Sequence, residues 1–408
     1  MRLLIIGNAT CSNRGDSAIF RGLIHEISDQ RPDAELICCS RNPVPSSFVL
    51  QRPLEPDWIY ESRIVSGSTL KKAKAMVGRQ FANRKLLWIN NSKLARKCLS
   101  APTPAKDFQN RIKDIDAVLH VGGSFFVDLY GVGQFDTIMA CAQINKLVYL
   151  AGHSMGPFRI PIVKKFASAF LPTVEKVFLR EPTSMEMLEE LNIDLSNVAD
   201  GSDTAWLMPD AVDSQVVDAE LDGCERPLIA VTVRKLAPFD KRLGITQEDY
   251  ENNVADLLNN LIDQGHHVVG VSMCTGLGGY FFDDRLVAES VRKRLRNPEH
   301  MTVLWNEYND LEVGGILRRC KMLVGTRLHS VILAMRYGTP ALALYYEHKS
   351  QGVLKQLGLS QWSVRLQDVA KQETLAIAYD ILEHQSACLL YTSPSPRDAT
   401  LSRMPSSA

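Results

Sequence analysis

The stretch KMLVGTRLHSVILAMRYGTPALALYY, residues 321–346, decides the fold. It begins with a short apolar run, turns at Gly325 and Thr326, continues with apolar residues at helical spacing, and ends in a second apolar run after Gly338. This pattern predicts a strand, a helix that begins near Leu328, and another strand. Because both runs are continuously apolar rather than alternating, we expect a parallel sheet that helices cover on both faces.

The same pattern recurs along the chain. Six further apolar runs, each followed by Gly or polar residues and then by a segment of helical period, are predicted strands: LLIIG (3–7), AVLHVGG (117–123), LVYLAGH (147–153), KVFLRE (176–181), LIAVTVR (228–234) and HVVGVSM (267–273). This alternation predicts an α/β fold throughout. An acidic, irregular linker at 209–227 separates a predicted N-terminal domain, 1–208, from a C-terminal domain, 228–387. Two such domains would face each other across a cleft, with ligands at the loops that follow the strands.

Composition excludes several classes of protein. The chain has 408 residues, 46 Lys or Arg, 46 Asp or Glu and 45% hydrophobic residues, which is typical of a globular protein. Zero formal charge argues against a nucleic-acid binder. Nine cysteines without a CxxC pair indicate neither a zinc site nor a disulfide framework. Since no signal peptide or membrane-spanning run is visible, we expect a cytoplasmic protein.

Two segments depart from the general pattern. Residues 62–106 contain eleven Lys or Arg and no Asp or Glu, with apolar residues interleaved. This insertion could form a basic amphipathic helix on the inner face of an anionic membrane, or a solvated surface whose charges face water. Residues 388–408 are rich in Ser and Pro and lack helical periodicity, so we expect a non-native tail; a natural Pro-rich tail is the alternative.

Polar residues follow several predicted strands of the first domain. Asn13 and Asp16 open the first helix. Asn13 is predicted to bind substrate, and Asp16 could cap the helix or present a carboxylate to the cleft. Gly122 and Gly123 carry no Cβ and would let the backbone approach a ligand. His153 lies between glycines in what we predict to be a loop after a strand, which favours a functional role.

Two other sets of residues in this domain give weaker signals. Ser154 beside His153 does not form a recognisable nucleophile elbow, so hydrolase chemistry is disfavoured. Asp200 and Asp203 fit a turn or a cap as well as they fit a ligand contact.

The second domain carries the sharper signal. Arg327 and His329 stand at a predicted helix N-terminus, where free N–H groups and the helix dipole favour an anion such as phosphate or carboxylate. Arg234 ends the first strand of the domain and would add a second guanidinium. Other side chains that we predict to bind substrate at this rim are Thr326, Ser330, Glu347 and Lys349.

Together these motifs resemble the polysaccharide pyruvyl transferase family, and matching stretches run in order from residue 1 to about residue 385. The motifs are NRGDSA (13–18), GGSFFVDLYG (122–131), GHSMGPF (152–158), DGSDTAW (200–206), RKLAPFDKR (234–242), GTRLHS (325–330) and YEHKS (346–350). The resemblance implies two Rossmann-like domains in a GT-B-like arrangement. It also implies transfer of the pyruvyl group of phosphoenolpyruvate onto a hexose of a lipid-linked exopolysaccharide repeat unit, as a cyclic ketal, with release of phosphate.

The resemblance also implies roles for individual residues. The family's phosphoenolpyruvate-binding Arg-x-His falls on Arg327 and His329, its strand-end arginine on Arg234, and its glycine-flanked histidine on His153. We expect His329 to be the general acid and His153 or Asp16 to deprotonate the acceptor. No cofactor is expected; Mg²⁺ or Mn²⁺ could assist electrostatically, although no compact cluster of metal ligands is visible in the sequence.

Two other functions remain open at the level of sequence. A sugar-nucleotide glycosyltransferase of the same two-domain design would also place its donor over a helix N-terminus of the second domain. Alternatively, a non-catalytic subunit could dock to membrane glycan assembly machinery through residues 62–106.

Overall fold

The computed structural model describes residues 1–62, 64, 68–237, 243–346, 348–356 and 358–384, without the side chains of 93, 96 and 348–350. The predicted tail, 388–408, lies outside the described residues. Two parallel sheets organise the described part of the chain.

The first sheet runs in the order β3-β2-β1-β4-β6-β7-β8, with β5 paired to β6, and every pairing is parallel. Its strands are β1 Arg2–Asn8, β2 Glu35–Ser40, β3 Glu55–Pro56, β4 Ala117–His120, β5 Gly123–Phe126, β6 Leu147–Met155, β7 Lys176–Leu179 and β8 Val198–Asp200. The second sheet, also parallel, runs β11-β10-β9-β12-β13-β14. Its strands are β9 Leu228–Thr232, β10 His267–Gly270, β11 Met301–Val303, β12 Met322–Gly325, β13 Ala341–Tyr345 and β14 Ser363–Arg365.

Helices connect the strands of both sheets. In the first domain and the connection that follows it they are α1 Arg14–Gln30, α2 Pro43–Leu50, α3 Trp58–Glu61, α4 Thr69–Asn91, α5 Lys93–Cys98, α6 Thr103–Arg111, α7 Asp136–Gln143, α8 Pro161–Phe170, α9 Pro182–Glu189 and α10 Gln215–Glu220. In the second domain they are α11 Gln247–Asp263, α12 Asp284–Arg292, α13 Asp310–Arg318, α14 Leu328–Arg336, α15 His348–Gln356 and α16 Gln372–Glu383.

The predicted α/β fold with two Rossmann-like domains is confirmed. All eight predicted strands form, as β1, β4, β6, β7, β9, β10, β12 and β13, and the quoted stretch 321–346 forms β12, α14 and β13. The domain boundaries stay a prediction. Part of the linker, expected to be irregular, is the helix α10, and the carboxylate of its Glu220 accepts hydrogen bonds from Asn306 at 2.8 Å and Tyr308 at 2.5 Å.

Helix α1 forms the seam between the domains. One hydrophobic core includes buried residues of α1 and of the second sheet. Arg14, whose side chain is fully buried, donates to the Tyr308 carbonyl at 2.5 Å and to Glu307 at 2.7 Å, both in the second domain. Two turns further along α1, Arg21 forms a bidentate ion pair with the buried Asp310 at 2.7 and 2.8 Å. These contacts hold the domains against each other.

The basic segment 62–106 contains the long helix α4 followed by α5. In the described part of the chain, no helix has both the length and the apolar content needed to span a membrane.

Candidate functional site

The carboxyl ends of the two sheets meet at the seam. Asn13, directly before α1, forms an isolated antiparallel bridge with Cys274 of the second domain. Its side-chain oxygen accepts a hydrogen bond from the backbone N–H of Gly15 at 3.0 Å. Asn13 is therefore the N-cap of α1, which corrects the alternative that Asp16 caps this helix. Asp16 instead lies in the first turn, where the Asn13 amide donates to its carboxylate at 3.2 Å.

His329 lies in the first turn of α14 and reaches across the seam. Its Nε2 lies 3.3 Å from Oδ2 of Asp203, which belongs to the first domain. The ring also packs on Gly15, where a Cβ would lie 2.6 Å from its Nδ1. A glycine at this position of α1 thus makes room for the imidazole.

The two carboxylate oxygens of Asp203 accept hydrogen bonds from different groups. Its Oδ1 accepts from the backbone N–H of Ala205 at 3.0 Å, as predicted for a cap, and its Oδ2 accepts from Arg180 Nη1 at 2.9 Å. Burial alone would raise the pKa of Asp203, but His329 and Arg180 outweigh it and hold this pKa well below its usual range. Asp203 therefore presents a permanent negative charge to the His329 ring.

Sequence reasoning did not select Arg180, which follows β7 and is 7% exposed. Besides Asp203, its guanidinium donates to Ser154 Oγ at 2.6 Å and to Ser124 Oγ at 2.9 Å. Ser154 in turn donates to the buried Glu181 at 2.7 Å, so its hydroxyl is held in a polar network. The position of Arg180 at a strand end was the available signal.

The second domain contributes Arg327, the N-cap residue of α14. Its Nη2 donates to Asp284 at 2.6 Å, whereas its Nε is buried without a hydrogen-bond partner among the described residues. Burial opposes the charge, but Asp284 raises the pKa of Arg327, which stays cationic. An unsatisfied buried N–H next to a cleft is a candidate donor to a ligand oxygen.

Arg234 lies after β9, as predicted. Its guanidinium stacks on the Tyr346 ring with 4.8 Å to the ring centroid and donates to the Tyr346 hydroxyl. Tyr346 was not selected from the sequence because stacking on an arginine leaves no sequence signature.

Thr326 and Ser330, predicted to bind substrate, are buried and bond within the protein. The Thr326 hydroxyl lies 2.9 Å from that of Tyr250, and Ser330 donates to the Arg327 carbonyl at 2.6 Å. Ser330 also bonds Thr232 at 2.7 Å. The structure therefore places both hydroxyls where they hold the β12–α14 loop, and their contact with substrate stays a prediction.

Gly122 and Gly123 of the first domain are required by the surrounding backbone, and their predicted contact with substrate stays a prediction. A Cβ at Gly122 would lie 2.6 Å from the Gly152 carbonyl oxygen, and Gly123 has a φ of +147°. Gly122 is thus required by the neighbouring strand β6, and Gly123 by its own backbone conformation.

The prediction that His153 follows its strand is wrong. It lies inside β6, is fully buried, and its Nε2 lies 3.2 Å from Nδ1 of His120. Burial and the neighbouring His120 ring lower the pKa of His153 well below its ordinary value. A neutral, enclosed imidazole is poorly placed to contact an acceptor sugar.

Two predicted residues cannot be placed. Glu347 lies outside the described residues, and the side chain of Lys349, on α15, is likewise not described. Within the described residues, no group of three or more His, Cys, Asp and Glu side chains is arranged to hold a metal ion.

The remaining polar groups converge on Asp16. Burial raises its pKa, while His329, Arg180 and Arg327 act electrostatically on it in the opposite direction. One carboxylate therefore senses an imidazole and two guanidiniums that come from both domains. Such a cluster can bind an anionic ligand and exchange protons with it.

Comparison with known proteins identifies relatives of this chain. The family model described as polysaccharide pyruvyl transferase matches residues 13–348. The amylovoran biosynthesis protein AmsJ of Erwinia amylovora is 39% identical over 388 residues, which cover 94% of this chain and 92% of that protein.

Solved structures share the architecture at low sequence identity. The UDP-GlcNAc 2-epimerase of Neisseria meningitidis, bound to UDP-GlcNAc, is 10% identical with a TM-score of 0.58, and the match covers 98% of each chain. A glycosyltransferase of Rickettsia africae is 12% identical with a TM-score of 0.54, and the match covers 98% of this chain and 93% of the other. These similarities concern the fold alone and show a GT-B-like pair of domains.

Proposed function

This chain belongs to the polysaccharide pyruvyl transferase family, and on that premise we propose that it transfers the pyruvyl group of phosphoenolpyruvate onto a hexose as a cyclic ketal, with release of phosphate. The acceptor that we propose is a lipid-linked repeat unit of an exopolysaccharide. AmsJ, the relative described above, is named for the polysaccharide amylovoran. For this chain we favour colanic acid as the polymer. We place the reaction at the cytoplasmic face of the membrane.

One observation carries the proposal. The Arg327 guanidinium stays cationic, and its buried Nε has no hydrogen-bond partner in the described part of the chain. Arg327 also stands beside His329 at the start of α14. Phosphoenolpyruvate offers one carboxylate and one phosphate, and both suit guanidinium forks and a helix N-terminus. Arg234, stacked on Tyr346, supplies a second fork on the same side of the cleft.

The proposed reaction begins with proton transfer from His329 to the methylene carbon of the donor, which gives oxocarbenium character at C2. An acceptor hydroxyl then attacks C2 and passes its proton to Asp16. The bond between C2 and the phosphate oxygen breaks next, and Arg327 and Arg234 stabilise the charge of the departing phosphate. Attack by the second hydroxyl closes the ketal; its proton returns to the His329 imidazole, and the proton held by Asp16 leaves with the phosphate.

Asp16 is our choice for the base over His153. Burial raises the pKa of the Asp16 carboxyl, which makes it a stronger base than an ordinary aspartate, and Asp16 is close enough to His329 to interact with it electrostatically. Asp203 would act on the reaction through His329, by fixing the orientation of its ring. In this scheme no cofactor is required, and Mg²⁺ or Mn²⁺ would only neutralise charge on the donor.

The proposal predicts that Arg327→Ala loses at least about a hundredfold of the rate of phosphate release from phosphoenolpyruvate in the presence of acceptor, because a buried charged hydrogen bond to the donor is removed. Arg319→Ala is the matched control, since Arg319 pairs with Asp218 on the exposed surface. Mass spectrometry of the acceptor should show the gain of one pyruvyl ketal. Undiminished turnover by Arg327→Ala would overturn the proposed donor site.

Two measurements complete this test. His329→Ala should slow the chemical step while calorimetry shows near-normal binding of phosphoenolpyruvate, and lost binding would reassign His329 as a donor contact. Phosphoenolpyruvate should raise the unfolding temperature of the wild-type protein, whereas protection by UDP-sugars alone would favour the glycosyltransferase.

A further inference from the structure

We propose that helix α4 docks this protein on the surface of an anionic phospholipid bilayer. The contact is made by four exposed apolar residues, called here the α4 stripe: Leu70, Val77, Phe81 and Trp88. This inference is drawn from the sequence and surface of α4 and does not depend on the reaction proposed above.

The α4 stripe is a continuous line along one side of the helix. At about 100° per residue, its four positions fall within about 40° of one another around the helix axis. The side chains are 81%, 49%, 66% and 60% exposed, in sequence order. Large apolar residues scattered singly on a surface need no explanation, but an aligned set over five turns does.

The N-terminal half of α4 has almost no support from the rest of the protein. From Thr69 to Phe81 every residue is exposed except Ala75, which is half-buried, and the first fully buried residue is Asn83. An isolated helix of this length is marginally stable in water, and most helices are stabilised by packing an apolar face. The exposed half therefore presents an apolar face for which the described protein offers no cover.

The charges around the α4 stripe indicate that its binding partner is an anionic surface. Lys74 and Lys85 lie on one side of the stripe, Arg84 lies on the other, and all of residues 62–106 contain no acid. Lys71 and Lys72 stand in the first turn, where positive charge opposes the helix dipole unless an external anion compensates it. An anionic surface relieves this conflict and attracts all eleven Lys and Arg of the segment.

A bilayer fits this pattern better than a second copy of the chain. A symmetric dimer through α4 would bring two basic segments together, and their repulsion would oppose association. In a membrane interface, by contrast, Phe and Trp enter the headgroup region while long Lys and Arg side chains extend to the phosphates. Beside α4, a groove against α8 adds Lys164 and Lys165 to the basic surface.

The test uses sedimentation of the full-length protein with vesicles. We expect binding to phosphatidylcholine vesicles that contain about a quarter phosphatidylglycerol, and little binding to pure phosphatidylcholine. Phe81→Ser/Trp88→Ser should weaken the binding roughly tenfold or more, because two large apolar side chains no longer enter the interface. Lys71→Glu/Lys72→Glu/Lys74→Glu should weaken it by a similar factor, and added salt should weaken the wild type.

Val44→Ser/Phe48→Ser on α2 is the matched control, since these side chains are 80% and 63% exposed but belong to a helix without basic residues. This variant should bind vesicles as the wild type does. Unchanged unfolding temperatures will show that all variants fold. In the wild type, Trp88 fluorescence should shift to the blue on binding, and Trp88→Phe should bind but lose the shift.

Three results would overturn the proposal. The first is vesicle binding by the stripe variant that equals the wild type, and the second is equal binding to neutral and anionic vesicles. The third is sedimentation equilibrium that shows a wild-type dimer and a monomeric stripe variant, because a second copy would then cover the α4 stripe.

Discussion

Burial governs what each histidine of this protein can do. His329 is partly exposed in the cleft and faces Asp203, whereas His120 and His153 are enclosed beneath the carboxyl edge of the first sheet. The strand β6 continues through the glycine at 152 to Met155, two residues beyond the apolar run visible in the sequence. His153, predicted to lie in a loop, is therefore part of the core.

The buried pair predicts an acid-sensitive fold. Burial lowers the pKa of His120 from 6.5 to about 4, and it also lowers the pKa of His153 well below its ordinary value. Below about pH 6.5 the unfolded chain therefore binds more protons than the folded chain. The stability of the fold is fully present above that pH and is lost as the pH falls towards about 4. The free energy of unfolding falls by about 1.4 kcal/mol per pH unit for each of the two histidines. Urea unfolding between pH 7.5 and 5 measures this slope.

A variant separates the pair from the other titrating groups. His153→Gln should show a shallower loss of stability over that interval, whereas His384→Gln, at an exposed site of α16's C-terminus, should keep the wild-type slope. Parallel curves for the wild type and His153→Gln would contradict the assignment.

The predictable site residues share a local signal. Arg327 and His329 could be found from the sequence because strand, turn, cation and apolar helix follow one another within a few residues. Arg180 and Asp203 follow different strands, β7 and β8, and their pairing with each other and with His329 requires knowledge of how the two domains meet. No spacing of residues along the sequence predicts how the two domains contact each other.

At the level of elements, the central strands of each sheet could be predicted from the sequence, whereas the strands near the edges could not. Most of the predicted strands, such as β1, β10 and β12, are buried on both faces and are therefore continuously apolar. The unpredicted strands are short or outlying: β3 has two residues, and β8, β11 and β14 have three each. In β2, the first half is only partly buried, so its sequence ELICCS lacks a long apolar run.

The start of α1 gives a prediction for an element. Gly15→Ala should favour the helix by up to about 1 kcal/mol from propensity alone, but its Cβ would press on the His329 ring. We expect activity to fall about tenfold or more through displacement of His329. Gly78→Ala in α4 is the control, because a Cβ there meets no atom within 4 Å, and it should raise stability without changing activity on a soluble acceptor. Wild-type activity in Gly15→Ala would show that the ring tolerates the contact.

At the scale of the whole molecule, one hydrophobic core and a set of buried charges along α1 join the two domains, while a second core lies within the first domain. Asp310 is fully buried and pairs with Arg21 from the other domain. Removing one partner of a buried ion pair leaves an uncompensated charge, which costs far more than losing an exposed pair. The domains should therefore unfold together.

Arg21→Met tests this coupling. We expect a loss of about 3–5 kcal/mol in the free energy of unfolding, in one cooperative transition that fluorescence and circular dichroism follow together. Arg319→Ala, which breaks an exposed pair, should cost less than about 1 kcal/mol. Two separate transitions, with only one displaced, would show that the domains are independent.

The hydrogen bond from His329 to Asp203 links the orientation of the imidazole to the closure of the cleft. The imidazole and its carboxylate are anchored in opposite halves of the protein, so any movement that parts the halves to admit or release a ligand also separates them. In the proposed reaction, His329 would therefore be held as a proton donor only after the cleft has closed on phosphoenolpyruvate. Protonation of the enol ester, and its hydrolysis by bulk water, would be suppressed while the cleft is open.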